Sequence, residues 1–189
     1  MVAVLITPPA ALPLTLAEVK SHLRIETSDD DDYLTGLIKA AVNHLEVILG
    51  VSLITQIWRE YFDGFSDSNQ FRLGKGPVQG VLDMRIYDAN GSPESVPLGA
   101  LELDRISTPS RLLVKTAVHT QRKINGVEID LVVGFGNTGI DVPDSLRRAL
   151  LLLVAHNYEF RGAVTIDQQP ANEPQGFQTL IAPFRRVRL

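Results

Sequence analysis

Apolar residues recur at helical spacing in two stretches near the start of the chain. After Thr15 they lie three to four residues apart and predict a helix that fades near Ile25. Thr15 and Glu18 have the spacing of a capping box, in which each residue satisfies an amide of the other. A longer run with the same period begins at Ser28 and ends at Gly50, which suits a left-handed helix terminus. The pattern therefore predicts two N-terminal helices.

Between about residues 53 and 133 the helical period disappears. Short runs of β-branched and aromatic residues alternate with turn-forming residues, which is typical of strands. The last run alternates apolar and acidic positions, as a strand with one solvated face does. No helical segment separates the runs, so they predict an antiparallel sheet. The predicted strands are 54–62, 70–73, 81–88, 101–105, 112–115 and 127–133.

Helical periodicity returns after Pro143, a residue that suits the first position of a helix. The sequence therefore predicts an α+β fold, in which a small helical bundle carries an antiparallel β-rich insertion between its second and third main helices. The expected divisions are 1–52 as the N-terminal helical part of the core, 53–135 as the insertion, 136–162 as a core helix, and 163–189 as a mobile loop followed by a C-terminal docking segment.

Composition removes several kinds of chemistry from consideration. The 189 residues include no cysteine, which excludes disulfides, thiolate metal sites and a cysteine nucleophile. The net charge of −4 argues against binding of nucleic acid by the whole surface. The apolar N-terminus carries no Lys or Arg and is interrupted by prolines, so we expect neither a signal peptide nor a membrane segment.

One glycine-rich motif could indicate a nucleotide site. Residues 134–139 match G-x-G-x-x-G after a predicted strand and before a helix. However, the helix starts only at Pro143 and no strand follows it, so the βαβ unit of a dinucleotide site is incomplete. A glycine-rich exit from the sheet is the favoured interpretation, and a nucleotide-binding protein or enzyme is the alternative from a different class.

Other candidate sites lack the spacing that their chemistry needs. The acidic run 29–32 has neither the glycine nor the glutamate of a calcium loop, and it suits a helix start instead. His156 and Glu159 share a helix face, but a di-metal carboxylate site needs this pair twice. The sequence therefore predicts no catalytic residue, no metal ligand and no cofactor.

The C-terminus combines aromatic residues with arginines. Phe177 and Phe184 precede Arg185, Arg186 and Arg188. This pattern suits a short anchor that docks into a partner's groove, with arginines bonding at the rim. A solvated tail and a weak DNA contact are the alternatives that the residues leave open.

The order of several segments resembles the head–tail connector (adaptor) proteins of tailed bacteriophages, a family also found in prophages and gene transfer agents. The resemblance lies in PLTLAEVK at 13–20, LIKAA at 37–41, GFG at 134–136, VAHNYEFR at 154–161 and LIAPFR at 180–185. Each segment is weakly specific, whereas their order and spacing together are much more specific. Residues 66–126 resemble the family only in their general alternation of short strand-like runs with turn-forming residues.

The resemblance implies a structural protein of the virion neck and no enzymatic activity. Such proteins form a ring of about twelve subunits below the portal. The ring extends the DNA channel, so that double-stranded DNA passes through without specific binding, and it offers an attachment surface for stopper or tail-completion proteins. Another neck or tail-completion protein is the close alternative. The resemblance also implies location in the virion, host cytoplasm during assembly, and no membrane partner.

The same resemblance assigns portal docking to the C-terminal segment. We expect removal of 177–189 to leave a folded, soluble protein that no longer binds the portal. The residues that the resemblance and the tail pattern assign to docking are Phe177, Leu180, Ile181, Phe184, Arg185, Arg186 and Arg188.

Overall fold

A computed structural model describes residues 2–66, 68–116, 118–160 and 173–185. The chain contains helices and antiparallel sheets, which confirms the predicted α+β class. It divides into two compact units, which we call the β-rich unit (1–10 and 50–135) and the helical unit (11–49 and 136–189). The helices are α1 (Leu16–Leu23), α2 (Asp31–Leu49), α3 (Asp144–Glu159) and α4 (Phe177–Ile181).

The helical unit is built on the apolar faces of α2 and α3, which contact each other. Residues three and four apart on one helix face are buried, as the periodicity predicts. Burial of a large aliphatic side chain stabilises a fold by about 1.5–3 kcal/mol. The buried positions of the two helices are Leu34, Ile38, Ala41, Leu45 and Leu49 on α2, and Leu146, Ala149, Leu150, Leu153 and Val154 on α3.

The start of α1 confirms the predicted capping box. The Thr15 amide donates to Glu18 Oε2 at 2.7 Å, and the Glu18 amide donates to Thr15 Oγ1 at 3.2 Å. These bonds, together with Arg147, lower the pKa of Glu18 because they favour its charged form. Arg24 ends the helix with a φ of 58°, in the left-handed region.

The β-rich unit contains two antiparallel sheets. Their strands are β1 (Val2–Thr7), β2 (Gln56–Phe62), β3 (Gln70–Arg72), β4 (Val78–Tyr87), β5 (Pro93–Ser95), β6 (Leu101–Asp104), β7 (Arg111–Val114) and β8 (Val127–Val133). The strands of the first sheet follow the order β1-β2-β8-β4-β5, and those of the second follow β3-β7-β6. One face of the central strand β8 lies in the core of the unit, because its alternate residues 127, 129, 131 and 133 are fully buried.

Two of these strands are absent from the sequence prediction. β5 is a short strand after a tight turn, and β1 lies in a stretch that the sequence placed in the N-terminal helical part. That placement of residues 1–52 needs correction at its start, because β1 pairs with β2 and residues 1–10 belong to the β-rich unit. A six-residue apolar run has no periodicity long enough to identify its partner, so pairing with a distant strand decides its structure.

Candidate functional site

The glycines of the 134–139 motif are required by close packing of the chain on itself. Gly134 has a φ of 132°, and a Cβ atom there would lie 2.6 Å from the Thr55 amide nitrogen. A Cβ atom on Gly139 would collide with the carbonyl oxygen of Pro13, and one on Gly136 would collide with Asp141. Glycine has no Cβ atom, so each position accepts an approach that another residue could not.

A carboxylate already occupies the amide that a phosphate would use in this loop. Asp141 Oδ2 accepts hydrogen bonds from the Thr138 amide at 2.9 Å and from the Thr138 hydroxyl at 2.8 Å. These bonds lower the pKa of Asp141, so the group is negatively charged at neutral pH. A like charge at this position disfavours a phosphate, and the geometry supports the exit-loop interpretation.

The C-terminal segment separates into buried and accessible residues. Phe177 and Ile181 are both 0% exposed and belong to the core of the helical unit. The Phe177 ring lies 6.4 Å from the ring of His44, and α4 contacts α3. Phe177 and Ile181 therefore hold the C-terminal segment on the helical unit. The sequence pattern alone could not distinguish this packing role from a docking role.

The remaining predicted docking residues differ from those two. Leu180 and Phe184 are half-buried, and Arg185 is exposed. The Arg185 guanidinium donates to the Gln178 side-chain oxygen. Arg186 and Arg188 lie outside the described residues, as does most of the predicted loop 163–176. Of the seven predicted docking residues, Leu180, Phe184 and Arg185 are thus the described ones that remain accessible to a partner.

A groove of about 420 Å³ lies in the helical unit where the C-terminal segment begins. His44, His156 and Glu173 line it, and His44 Nε2 lies 3.5 Å from Glu173 Oε1. Among the residues that the structure describes, no group of three or more metal-ligating side chains comes together. The groove places polar side chains beside the C-terminal segment. Sequence reasoning missed it because its lining comes from α2, α3 and residues 173–174, which are far apart in the chain.

The five-stranded sheet carries a charge network on the face opposite the core. Asp130 on β8 binds Arg59 of β2, with Arg59 Nε donating to Asp130 Oδ1 at 2.7 Å, and Arg85 of β4 donates to the other oxygen at 2.5 Å. The bonds to Asp130 raise the pKa of Arg59. The network joins three adjacent strands and gives this face a polar surface.

Residues 13–95 match the family described as "Phage gp6-like head-tail connector protein". None of the curated proteins compared matches the chain in sequence. The resemblance to head–tail connectors is confirmed.

Solved structures extend the likeness over the whole chain. A chain in the structure of the neck of an empty gene transfer agent (GTA) particle, computed with C6 symmetry, is 27% identical to this chain in sequence and has a TM-score of 0.82. A chain in the virion of a native GTA particle is 26% identical with the same TM-score. A chain in the neck of a native GTA particle, computed with C12 symmetry, is 28% identical with a TM-score of 0.75. Each match covers 100% of this chain and 97% of the other. The chain is a structural connector protein of the neck type.

The expected virion location agrees with these matches at the level of the particle neck. None of the described helices is both long enough and apolar enough to cross a bilayer.

Proposed function

We propose that this connector is one subunit of a ring that lies below the portal in the neck of a phage-like particle. The helical unit and the β-rich unit, of which residues 50–135 lie between α2 and α3 in the chain, together form the repeating body of that ring. The observation that carries the proposal is the match of the complete chain to neck structures, at a TM-score of 0.82. The C12 symmetry used for one matched neck supports about twelve subunits.

The ring extends the DNA channel and presents a surface to stopper or tail-completion proteins. A channel wall that bound DNA tightly would oppose its movement, and a net charge of −4 on each subunit limits such binding. The role is structural and not enzymatic. The nucleotide-binding alternative is not favoured, because Asp141 and close backbone packing occupy the glycine loop.

Electron microscopy tests the ring directly. The purified chain is mixed with portal rings from the same particle, and class averages are compared with those of the portal alone. We expect an additional cyclic layer at the exit end of the portal, with about twelve units. Finding the chain bound as isolated copies, or not bound at all, would contradict the proposal.

Portal docking is proposed for the accessible part of the C-terminal segment. Leu180 and Phe184 supply apolar contact, while Arg185 supplies a charge-assisted hydrogen bond at the rim. Host-cell cytoplasm is the proposed site of assembly before the particle is complete. The segment packs on its own unit through Phe177 and Ile181, so docking needs no unfolding of α4.

Reversing the charge of Arg185 tests this docking surface. We expect Arg185→Glu to weaken portal binding at least tenfold, because it removes a charge-assisted bond and introduces repulsion, while the melting temperature changes little. Arg148→Glu is the matched control, since Arg148 is also an exposed arginine of the helical unit. Binding can be measured by surface plasmon resonance on immobilised portal. Equal effects of the two variants would exclude a specific role for Arg185.

A further inference from the structure

The strand β1 lies at one edge of the five-stranded sheet. Its inner side pairs antiparallel with β2, from Val2 opposite Tyr61 to Thr7 opposite Ile57. Within the described part of the chain, no strand pairs with its outer side. Alternate N–H and C=O groups of an edge strand point outward, where they can bond to another strand. β1 therefore offers a row of main-chain groups to a further chain.

The side chains of β1 make this edge unusually apolar. Val2 is 59% exposed and Val4 is 44% exposed on one face of the strand, and Leu5 is exposed on the other. Edge strands are normally protected by a charge, a proline or very short length, and the β1 sequence VAVLIT contains neither charge nor proline. An exposed apolar edge of this kind indicates a surface that another molecule covers.

The opposite edge of the same sheet is protected. β5 has only three residues, and they include Pro93 and the charged Glu94. Proline supplies no N–H group and charge resists burial, so β5 is a poor template for pairing. The two edges of the sheet are therefore unlike, with one open and one closed.

We propose that the outer edge of β1 pairs with an extended segment of a second copy of this chain, as a subunit contact of the ring. This inference rests on the proposed function. In a cyclic ring without twofold axes, each subunit meets its two neighbours through two different surfaces. An open edge at one side of the sheet and a closed edge at the other fit that arrangement. Portal docking is proposed for the helical unit, so this edge of the β-rich unit remains available to a second copy of the chain.

Hydrogen exchange measures the pairing at the main chain. Amide exchange of residues 2–7 is followed by mass spectrometry in the free subunit and in rings assembled on the portal. We expect exchange of the outward amides to slow at least tenfold in the ring, because a neighbouring strand protects them. Normal rings with unchanged exchange would overturn the inference and leave the proposed function standing. Failure to form rings at all would contradict both.

A charged edge provides the second measurement. We expect Val4→Lys to fold with a nearly unchanged melting temperature and to reduce ring formation at least tenfold, because the interface would have to bury a charge. Val47→Lys makes the same substitution on α2, at a valine that is 68% exposed, and is expected to retain ring formation. If both variants assemble normally, or both lose assembly equally, the edge has no specific role.

A photo-crosslinker identifies the molecule that covers β1. The chain has no cysteine, so Val4→Cys accepts a single benzophenone label without competing sites. We expect irradiation of assembled rings to join two copies of this chain. Crosslinks to the portal or to a stopper protein in place of a second copy would overturn the choice of occupant.

Discussion

Replacing Phe177 with alanine is expected to destabilise the helical unit by about 3–5 kcal/mol. The side chain is 0% exposed, and its removal would leave a cavity where α4 packs on the unit. The free energy of unfolding can be measured by chemical denaturation followed by circular dichroism. The expected loss identifies Phe177 as a core residue that fixes the position of the docking segment.

Phe160→Ala is the matched control for this measurement. Phe160 follows α3 and is 43% exposed, so the same substitution is expected to cost less than about 1 kcal/mol. A Phe177→Ala protein as stable as the parent, but unable to bind the portal, would instead make Phe177 a direct docking residue.

The burial of Phe177 also changes the expected effect of a truncation. Removing residues 177–189 would delete both Phe177 and Ile181 from the core, and therefore would not leave the helical unit intact. The earlier expectation of a folded, soluble truncated protein is revised for this reason. Single substitutions at the accessible positions separate docking from folding, whereas the truncation alters both.

Replacing Glu60 with alanine is expected to destabilise the β-rich unit by about 3 kcal/mol. The carboxylate is fully buried, and it accepts hydrogen bonds from the Gly74 amide at 2.9 Å and the Lys75 amide at 2.7 Å. Hydrogen bonds to a charged group contribute about 1.5–3 kcal/mol each, and both amides would lose this acceptor. Thermal and chemical denaturation measure the change.

Two further variants test whether the loss of stability in Glu60→Ala comes from the buried carboxylate. Glu60→Gln keeps one acceptor oxygen and is expected to lose less stability than the alanine variant. Glu102→Ala removes an exposed glutamate that pairs with Lys115, and it is expected to cost less than about 1 kcal/mol. A small, equal loss from Glu60→Ala and Glu102→Ala would show that the 74–75 turn does not depend on the buried carboxylate.

Arg59 and Glu60 show how far the local sequence of β2 can be interpreted. They are neighbours on the strand, so their side chains point to opposite faces of the sheet, and the sequence pattern does not say which of them faces the core. The β2–β8 register places Glu60 opposite buried Ile129 and Arg59 opposite Asp130. The carboxylate is satisfied by a turn fourteen residues away, a contact that no local period encodes.

The candidate docking segment shows the same limit. Phe177, Leu180, Ile181 and Phe184 form one apolar pattern in the sequence, and composition treats them alike. Packing against the helical unit buries Phe177 and Ile181 while it leaves Leu180 and Phe184 half-buried. The division between anchor and contact surface is therefore a property of the packed structure.

The sequence by itself determined the elements whose signals are local. The capping box at Thr15, the helical periods of α2 and α3, and the alternation along β8 all depend on residues within a few positions of one another. The connector resemblance followed from the order of such segments along the chain.

Only the tertiary structure decided the pairing of β1 with β2, the contact of Asp130 with two arginines, and the burial of Phe177. Each joins residues far apart in sequence, so the contact depends on loop closure and on which of many possible apolar or charged partners the folded chain brings together. The open edge of β1, which carries the inferred subunit contact, became visible only once that selection was known.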